Sequence, residues 1–367
     1  MRDIVTKADP SRIAIIDILR GFALYGIILA HAASIYLTEL QAVGRNFNDE
    51  TDLQIKQFLS LFIERKFYLI FSFLFGFSFY IQFRNAKNRK QSFTKKFIWR
   101  SFVLFVIGLL HNQFYPFDIL HIYAILGLLL LPIRRLERSH LLLVTCTLII
   151  AASLSSEFND HIKSSYSMLM MADLGFSHRI IHQLSSGHYL MILGLFCLGY
   201  WAGLTDLFNT SRLSADLIKK ITLCCFVALC LMIGIDHTLY HRLALSPLKS
   251  LGLSFCYIGG VYLLYLYGRK WKFIWLALER TGRMGLSNYV LQTIFFFFLF
   301  EFVYRRVHTG ALFSLIALAH LFYLLQIILS ILWFRRFKYG PLEWLWRVTT
   351  NLYKVPNFTK KELKTSL

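Results

Sequence analysis

The feature that most restricts this chain is the recurrence of apolar runs long enough to cross a bilayer. A spanning helix needs roughly 20 mostly apolar residues, and the sequence offers about ten such runs by that measure. Hydrophobic residues make up 56% of the 367 positions and charged ones 16%, a balance that excludes a soluble protein of this length. The pattern predicts an all-α, polytopic transmembrane helical bundle. Its spans are expected at 13–36, 66–83, 97–114, 118–133, 141–155, 189–207, 221–236, 249–268, 284–302 and 311–333. Segment 141–155 is short and can extend at either end, and 55–65 reads as an amphipathic lead-in to the second span. No Gly/Ser linker or convincing internal repeat divides the chain. We expect one integral membrane domain over 1–367, with an N-terminal half (1–155), a C-terminal half (189–347) and a basic tail (348–367).

The net charge of +20 is placed as a topology signal. Of the 40 lysines and arginines, 29 fall in the segments that share a side with the N-terminus, and Arg20 lies inside the first span. By the positive-inside rule both termini are expected in the cytoplasm. Arg305 and Arg306 run against this trend. The basic excess then serves anionic lipid headgroups, and nucleic acid is not an expected partner. The cysteines all sit in apolar segments without a CxxC pair, so they read as packing residues. The first span carries Asp17 and Arg20 and no clear cleavage site, so it reads as a retained helix and not a signal peptide.

That first span, "IDILRGFALYGIILAHAASIY", poses the functional question, because it holds Asp17, Arg20 and His31. At 100° per residue the three share one helix face, with Arg20 and His31 about 16 Å apart along the axis. Ionisable groups in hydrocarbon normally face the bundle interior or a wet cavity. One reading is a packing salt bridge plus one hydrogen-bonded histidine. The other is a polar path, with Arg20 holding an anionic group near the cytoplasm and His31 doing chemistry on the far side.

A second group lies in "GLLHNQFYPFDILHIYAILG", read as a tight outer hairpin with Pro116 in its turn. His111 closes one helix, and Asp118 and His121, three apart, share a face of the next. A carboxylate beside an imidazole fixes its tautomer and raises its basicity. The plain alternative is a polar cluster closing the hairpin. Ten of the twelve histidines fall in the outer half, and His178 with His182 and His237 with His241 have i,i+4 spacing. No HExxH is present and no carboxylate completes a set, so solvated histidines are favoured over a metal. Arg283, Asn288 and Gln292 enter a later span from the inside, and interhelical hydrogen bonds are the plain account of the two amides. "FRRFKYGPLEWLWR" after the last span reads as an interfacial helix, and "FFFFLFEF" as lipid-facing bulk. No P-loop, nucleotide fingerprint, GxSxG or CxxCH occurs.

Five stretches in order carry a resemblance across the whole chain: "DILRGFALYGIIL", "ERKFYLIFSFLFGFSF", "GLLHNQFYPFDILHIYAILG", "GRMGLSNYVLQ" and "YGPLEWLWR". Together they resemble the YeiB-like family of bacterial membrane proteins, whose C-terminal half is a domain of unknown function. That family is in turn similar to transmembrane acyltransferases, among them heparan glucosaminide N-acetyltransferase and the acyltransferase-3 enzymes of bacterial surface glycans. The resemblance implies an acyl-CoA such as acetyl-CoA as donor on the cytoplasmic side, and an envelope glycan or lipid acceptor on the other. Arg20, Gly21 and His31 match the Arg-Gly and histidine of the acyltransferase-3 first span. The YeiB-like pattern more often has Asn at position 31, and Gly where this chain has Arg65 and Phe117.

The resemblance, with the residue reading, gives His31, Asp118 and His111 as candidate catalytic groups. Arg20, Asp17, Arg283 and Lys66 are candidates for the CoA end, and His121, Tyr123, Asn288 and Gln292 for the acceptor. A multi-pass protein of the bacterial cytoplasmic membrane is expected, with a homo-oligomer left open. A transporter or flippase using Asp17, Arg20 and His31 as a relay, and a non-catalytic membrane protein, are the competing readings.

Overall fold

The computed structural model describes residues 13–42, 50–115, 118–163, 186–208, 212–238, 246–299 and 312–351. These residues form helices α1 (Ala14–Ala42), α2 (Glu50–Phe62), α3 (Lys66–Asn88), α4 (Phe93–Asn112), α5 (Leu120–Ile133) and α6 (Arg138–Lys163). They continue with α7 (His188–Leu204), α8 (Arg212–Thr238), α9 (Ser246–Tyr267), α10 (Lys272–Arg283), α11 (Gly285–Leu299), α12 (Leu312–Arg336) and α13 (Pro341–Asn351). Each of the ten expected spans falls on one helix. Five helices (α1, α6, α8, α9 and α12) are long and apolar enough to cross a membrane. α5, α7 and α11 are shorter apolar helices. The short span expected at 141–155 extends in both directions, because polar residues such as Ser139 and Glu157 continue α6 at its ends. The histidine pairs 178/182 and 237/241, the Arg305–Arg306 pair, Pro116, Phe117 and the tail beyond 351 lie outside the residues whose side chains are described.

α1 is the axle of the bundle. Leu19, Ala23, Leu24, Ile28 and Ala32 are fully buried, which no membrane-facing helix would require. α3 and α12 pack along it, and so does α10, an amphipathic helix of only 12 residues. A Cβ at Gly21 would land on the Leu278 backbone, and one at Gly282 on the carbonyl of Asp17. The two backbones therefore meet directly, as small residues permit between membrane helices.

Two carboxylates, Asp52 buried and Glu343 half-buried, tie elements together. Asp52 of α2 accepts from the Tyr36 hydroxyl (2.6 Å) and from the amide of Leu312 (2.9 Å), the first residue of α12. Glu343 of α13 accepts from the amides of Leu286 (2.7 Å) and Ser287 (3.1 Å) and from the Ser287 hydroxyl (2.5 Å) at the start of α11. Each negative group meets the orphan N–H groups and positive end of a helix. α13 also docks on α4, with Trp346 donating to the carbonyl of Arg100 (2.9 Å) and Trp99 to that of Thr349 (2.6 Å).

Two expectations change here. "FFFFLFEF" is not uniformly lipid-facing: Phe296 is fully buried and Phe295 stacks on Phe322 with ring centroids 3.9 Å apart. Among the cysteines only Cys197 is fully packed, while Cys146, Cys224 and Cys230 are exposed on their helices.

Candidate functional site

Where α4 ends and α5 begins, the chain doubles back tightly. A Cβ at Gly108 would collide with the His121 amide, so glycine alone allows the two helices to close to this distance. The closure brings His111, Asp118 and His121 together. His111 Nδ1 lies 2.8 Å from Asp118 Oδ1, and His121 Nδ1 lies 3.2 Å from Asp118 Oδ2. The Leu120 amide donates to the same Oδ2 at 3.0 Å, and the Tyr289 hydroxyl of α11 donates to Oδ1 at 3.2 Å. Asp118 is 1% exposed, so this set of donors is what makes a buried carboxylate tolerable.

Tyr289 links this cluster to α1. Its ring centroid lies 5.2 Å from that of His111 and 5.5 Å from that of His31. Tyr115 flanks His31 from the other side at 4.6 Å. Both tyrosines come from outside the motif histidines and carboxylates, and neither was singled out from sequence. Tyrosine is common in apolar helices, so type alone carried no signal.

Two imidazole nitrogens in the cluster are buried without a hydrogen-bond partner: His31 Nδ1 and His111 Nε2. Buried polar atoms are nearly always satisfied, so each such orphan asks for a reason. His31 borders open space, while its Nδ1 has almost no exposed surface of its own. Its imidazole lines a partly open cavity of about 370 Å³, together with Tyr115, Tyr289, Tyr68, Arg65 and His188. This volume suits a small organic molecule or part of a larger one.

The candidate CoA-end residues do not assemble as a group. Arg20 donates to Asp17 (2.6 Å) and to the Ser78 hydroxyl of α3, and keeps 25% of its side chain exposed. Lys66 sits twelve residues before Ser78, about 18 Å away along the helix, and donates to the Ser60 carbonyl (2.6 Å). It therefore stands at the His31 end of the bundle and not with Arg20. Arg283 stacks on Phe334 (4.2 Å) and donates to the Lys338 carbonyl (3.4 Å). Among the described residues the His31 cavity does not extend to Arg20. Arg20 is not among the residues lining the cavity, and Leu24 and Ile28 between the two are fully buried.

Among the candidate acceptor residues, only His121 joins the cluster. Tyr123 bonds Ser72 (2.7 Å) and the Tyr68 carbonyl (3.0 Å) amid the phenylalanines of α3 and α7. Asn288 donates to the Thr281 carbonyl and to Ser330, and its own carbonyl accepts from Gln326. Gln292 donates to the Leu24 carbonyl and to Gln326. These amides are glue between α1, α10, α11 and α12, the plain account available from sequence.

The chain matches two known families. Residues 12–234 match the catalytic domain of heparan-alpha-glucosaminide N-acetyltransferase, a segment holding His31, His111, Asp118 and the whole of α1 to α7. Residues 202–353 match a family described as a protein of unknown function, DUF418. Among relatives, an uncharacterized 39.9 kDa protein from the amylase 3′ region of Bacillus acidopullulyticus is 29% identical, covering 96% of this chain and 97% of that protein. The uncharacterized protein YxaH of Bacillus subtilis is 26% identical over 93% of this chain and 94% of its own. The uncharacterized protein YeiB of Escherichia coli is 41% identical over 20% of this chain and 19% of its own. No solved structure matches. Because the first match covers more than half of the sequence, the chain belongs to the family of the heparan-alpha-glucosaminide N-acetyltransferase catalytic domain, joined at its C-terminal end to a YeiB-type DUF418 region.

Proposed function

We propose that this protein is a membrane-embedded acyltransferase that moves an acyl group from an acyl-CoA such as acetyl-CoA to an envelope glycan or lipid. The observation that carries the reading is His31: a buried imidazole with an unpartnered nitrogen, on a cavity wall, beside a carboxylate–histidine pair. Family membership supports the reaction class. The ten helices that match the expected spans, and the bias of basic residues, support ten spans in the bacterial cytoplasmic membrane with both termini inside.

In the proposed step, neutral His31 takes the proton from an acceptor hydroxyl or amine as that atom attacks the thioester carbonyl. A C–O or C–N bond forms, the C–S bond breaks, and CoA leaves as the thiolate. The Asp118 carboxylate, held by His111, His121 and Tyr289, favours the imidazolium that forms nearby. At the other end, Arg20 keeps an exposed flank toward which a CoA phosphate could turn, sharing the guanidinium with Asp17. Leu24 and Ile28 must part for a pantetheine arm to pass from there to His31. A closed half is also what one state of an alternating-access carrier would show, so the test must read chemistry.

That test is incubation of the purified protein with labelled acetyl-CoA and an envelope extract. The expected result is labelled acceptor and free CoA in equal amounts, with a loss of roughly 100-fold or more in His31→Ala. Undiminished product in that variant removes His31 from the reaction. Substrate uptake into proteoliposomes with no CoA released favours the carrier.

A further inference from the structure

Among the described residues, Arg65 is the one fully charged side chain on the wall of the His31 cavity. Arg65, His188 and the first turns of α3, α7 and α9 border it, and among the described residues no carboxylate does. α3, α7 and α9 run for 23, 17 and 22 residues, and each begins at the cavity. A helix start presents free N–H groups and a positive partial charge. In this protein the starts of α11 and α12 are each met by a carboxylate from another helix, Glu343 and Asp52. Those of α3 and α7 have no side-chain cap.

Arg65 stands out among these groups. It caps α3 with φ 65°, one of the few non-glycine residues of positive φ among the described residues. A side chain in this region is unfavourable where glycine would not be. Its guanidinium, exposed at the cavity, makes no ion pair or hydrogen bond within the described residues. Glu64, its neighbour in sequence, is not among the lining residues. Strained backbone that presents an uncommitted cation to a cavity is a reason to look for the anion it receives. The unpartnered His31 imidazole, 6% exposed, lines the same cavity. That separates this place from an ordinary exposed helix end.

We infer that the cavity takes a molecule bearing an anionic group, a phosphate or a carboxylate. The anion sits against Arg65 and the starts of α3 and α7, and the reactive part reaches His31. The role as acceptor rests on the acyl-transfer reading above, but the binding itself does not. An anionic headgroup of a membrane lipid and a soluble phosphorylated sugar share this chemistry.

The experiment uses full-length protein in neutral detergent and calorimetric titration with glucosamine 6-phosphate and with glucosamine. The phosphorylated probe is expected to bind on the order of tenfold tighter or more, the worth of a hydrogen-bonded charge contact. Arg65→Gly, which the backbone angle welcomes, is expected to erase that preference. Arg65→Lys is expected to keep part of it, and Arg100→Gln at the other end of the bundle all of it. Equal binding of the two probes to the wild type, or a preference that survives Arg65→Gly, overturns the inference. A second arm repeats the titration in nanodiscs with and without phosphatidylglycerol. Competition assigns the anion to a lipid headgroup, and its absence to a soluble molecule. Phosphate preference without acetyl transfer would sink the enzymatic reading and leave this site standing, whereas transfer without preference would do the reverse.

Discussion

Asp118 shows how much rests on one side chain. It receives two imidazoles, a tyrosine hydroxyl and a backbone amide at a position with almost no solvent. Asp118→Asn keeps the size but loses the charge, and puts an NH₂ where one of those donors now points. We expect a loss of about 2–3 kcal/mol in unfolding free energy, read by denaturation in detergent. Transfer activity should fall further than His121→Gln lowers it, because His121 does not pack against Tyr289 as His111 does. The cluster was legible in sequence as far as spacing could carry it: three polar residues near one turn, and a histidine on the first span. Tyr289, 171 positions from Asp118, was not legible. Only the packing of α11 brings it there, and no local pattern marks a tyrosine in an apolar helix as different from its neighbours.

At the scale of elements, the short helices do what the long ones cannot. α2 and α13 each supply a carboxylate to the start of an apolar helix, so their value is in termination chemistry more than in buried area. Burial pushes the Glu343 carboxyl above the usual carboxylate range, against the pull of its hydrogen bonds from Ser287 and Leu286. The folded state therefore holds a proton more readily than the unfolded chain. Its stabilising contribution is full below the ordinary carboxylate range and is lost as pH rises through the raised value. Glu343→Gln keeps an acceptor and has no charge to bury. It should match the wild type in thermal unfolding near about pH 4 and exceed it near about pH 8. Glu343→Ala leaves the α11 amides unpaired and should lose about 1–3 kcal/mol across that range. The motif "YGPLEWLWR" announced a helix and an anchor, but the destination of its glutamate lay 57 residues away at Leu286. α10 was hidden for a related reason. Its charges read as a loop between spans, and only the glycines at 21 and 282 reveal that it lies against α1.

For the whole molecule, hydropathy sufficed to place ten helices, because the apolar runs are separated by charge. It could not show which ends meet. Lys66 was grouped with Arg20 on charge, yet α3 holds the two apart along its length. This separation gives a topological prediction. In cells, with native cysteines replaced, a cysteine at Lys56 of α2 should react with a membrane-impermeant maleimide added outside. One at Lys87, near the far end of α3, should react only after the membrane is breached. Labelling of both from one side would reject the ten-span arrangement.

The meeting of α1 and α10 backbones at two glycines has a mechanical consequence. At those two points no side chain separates the helices, so α1 and α10 resist sliding past one another there. Opening the half of the bundle around Leu24 then means moving α3, α11 or α12 off α1, since each of them packs on it. A bulky residue at either glycine would wedge α1 and α10 apart.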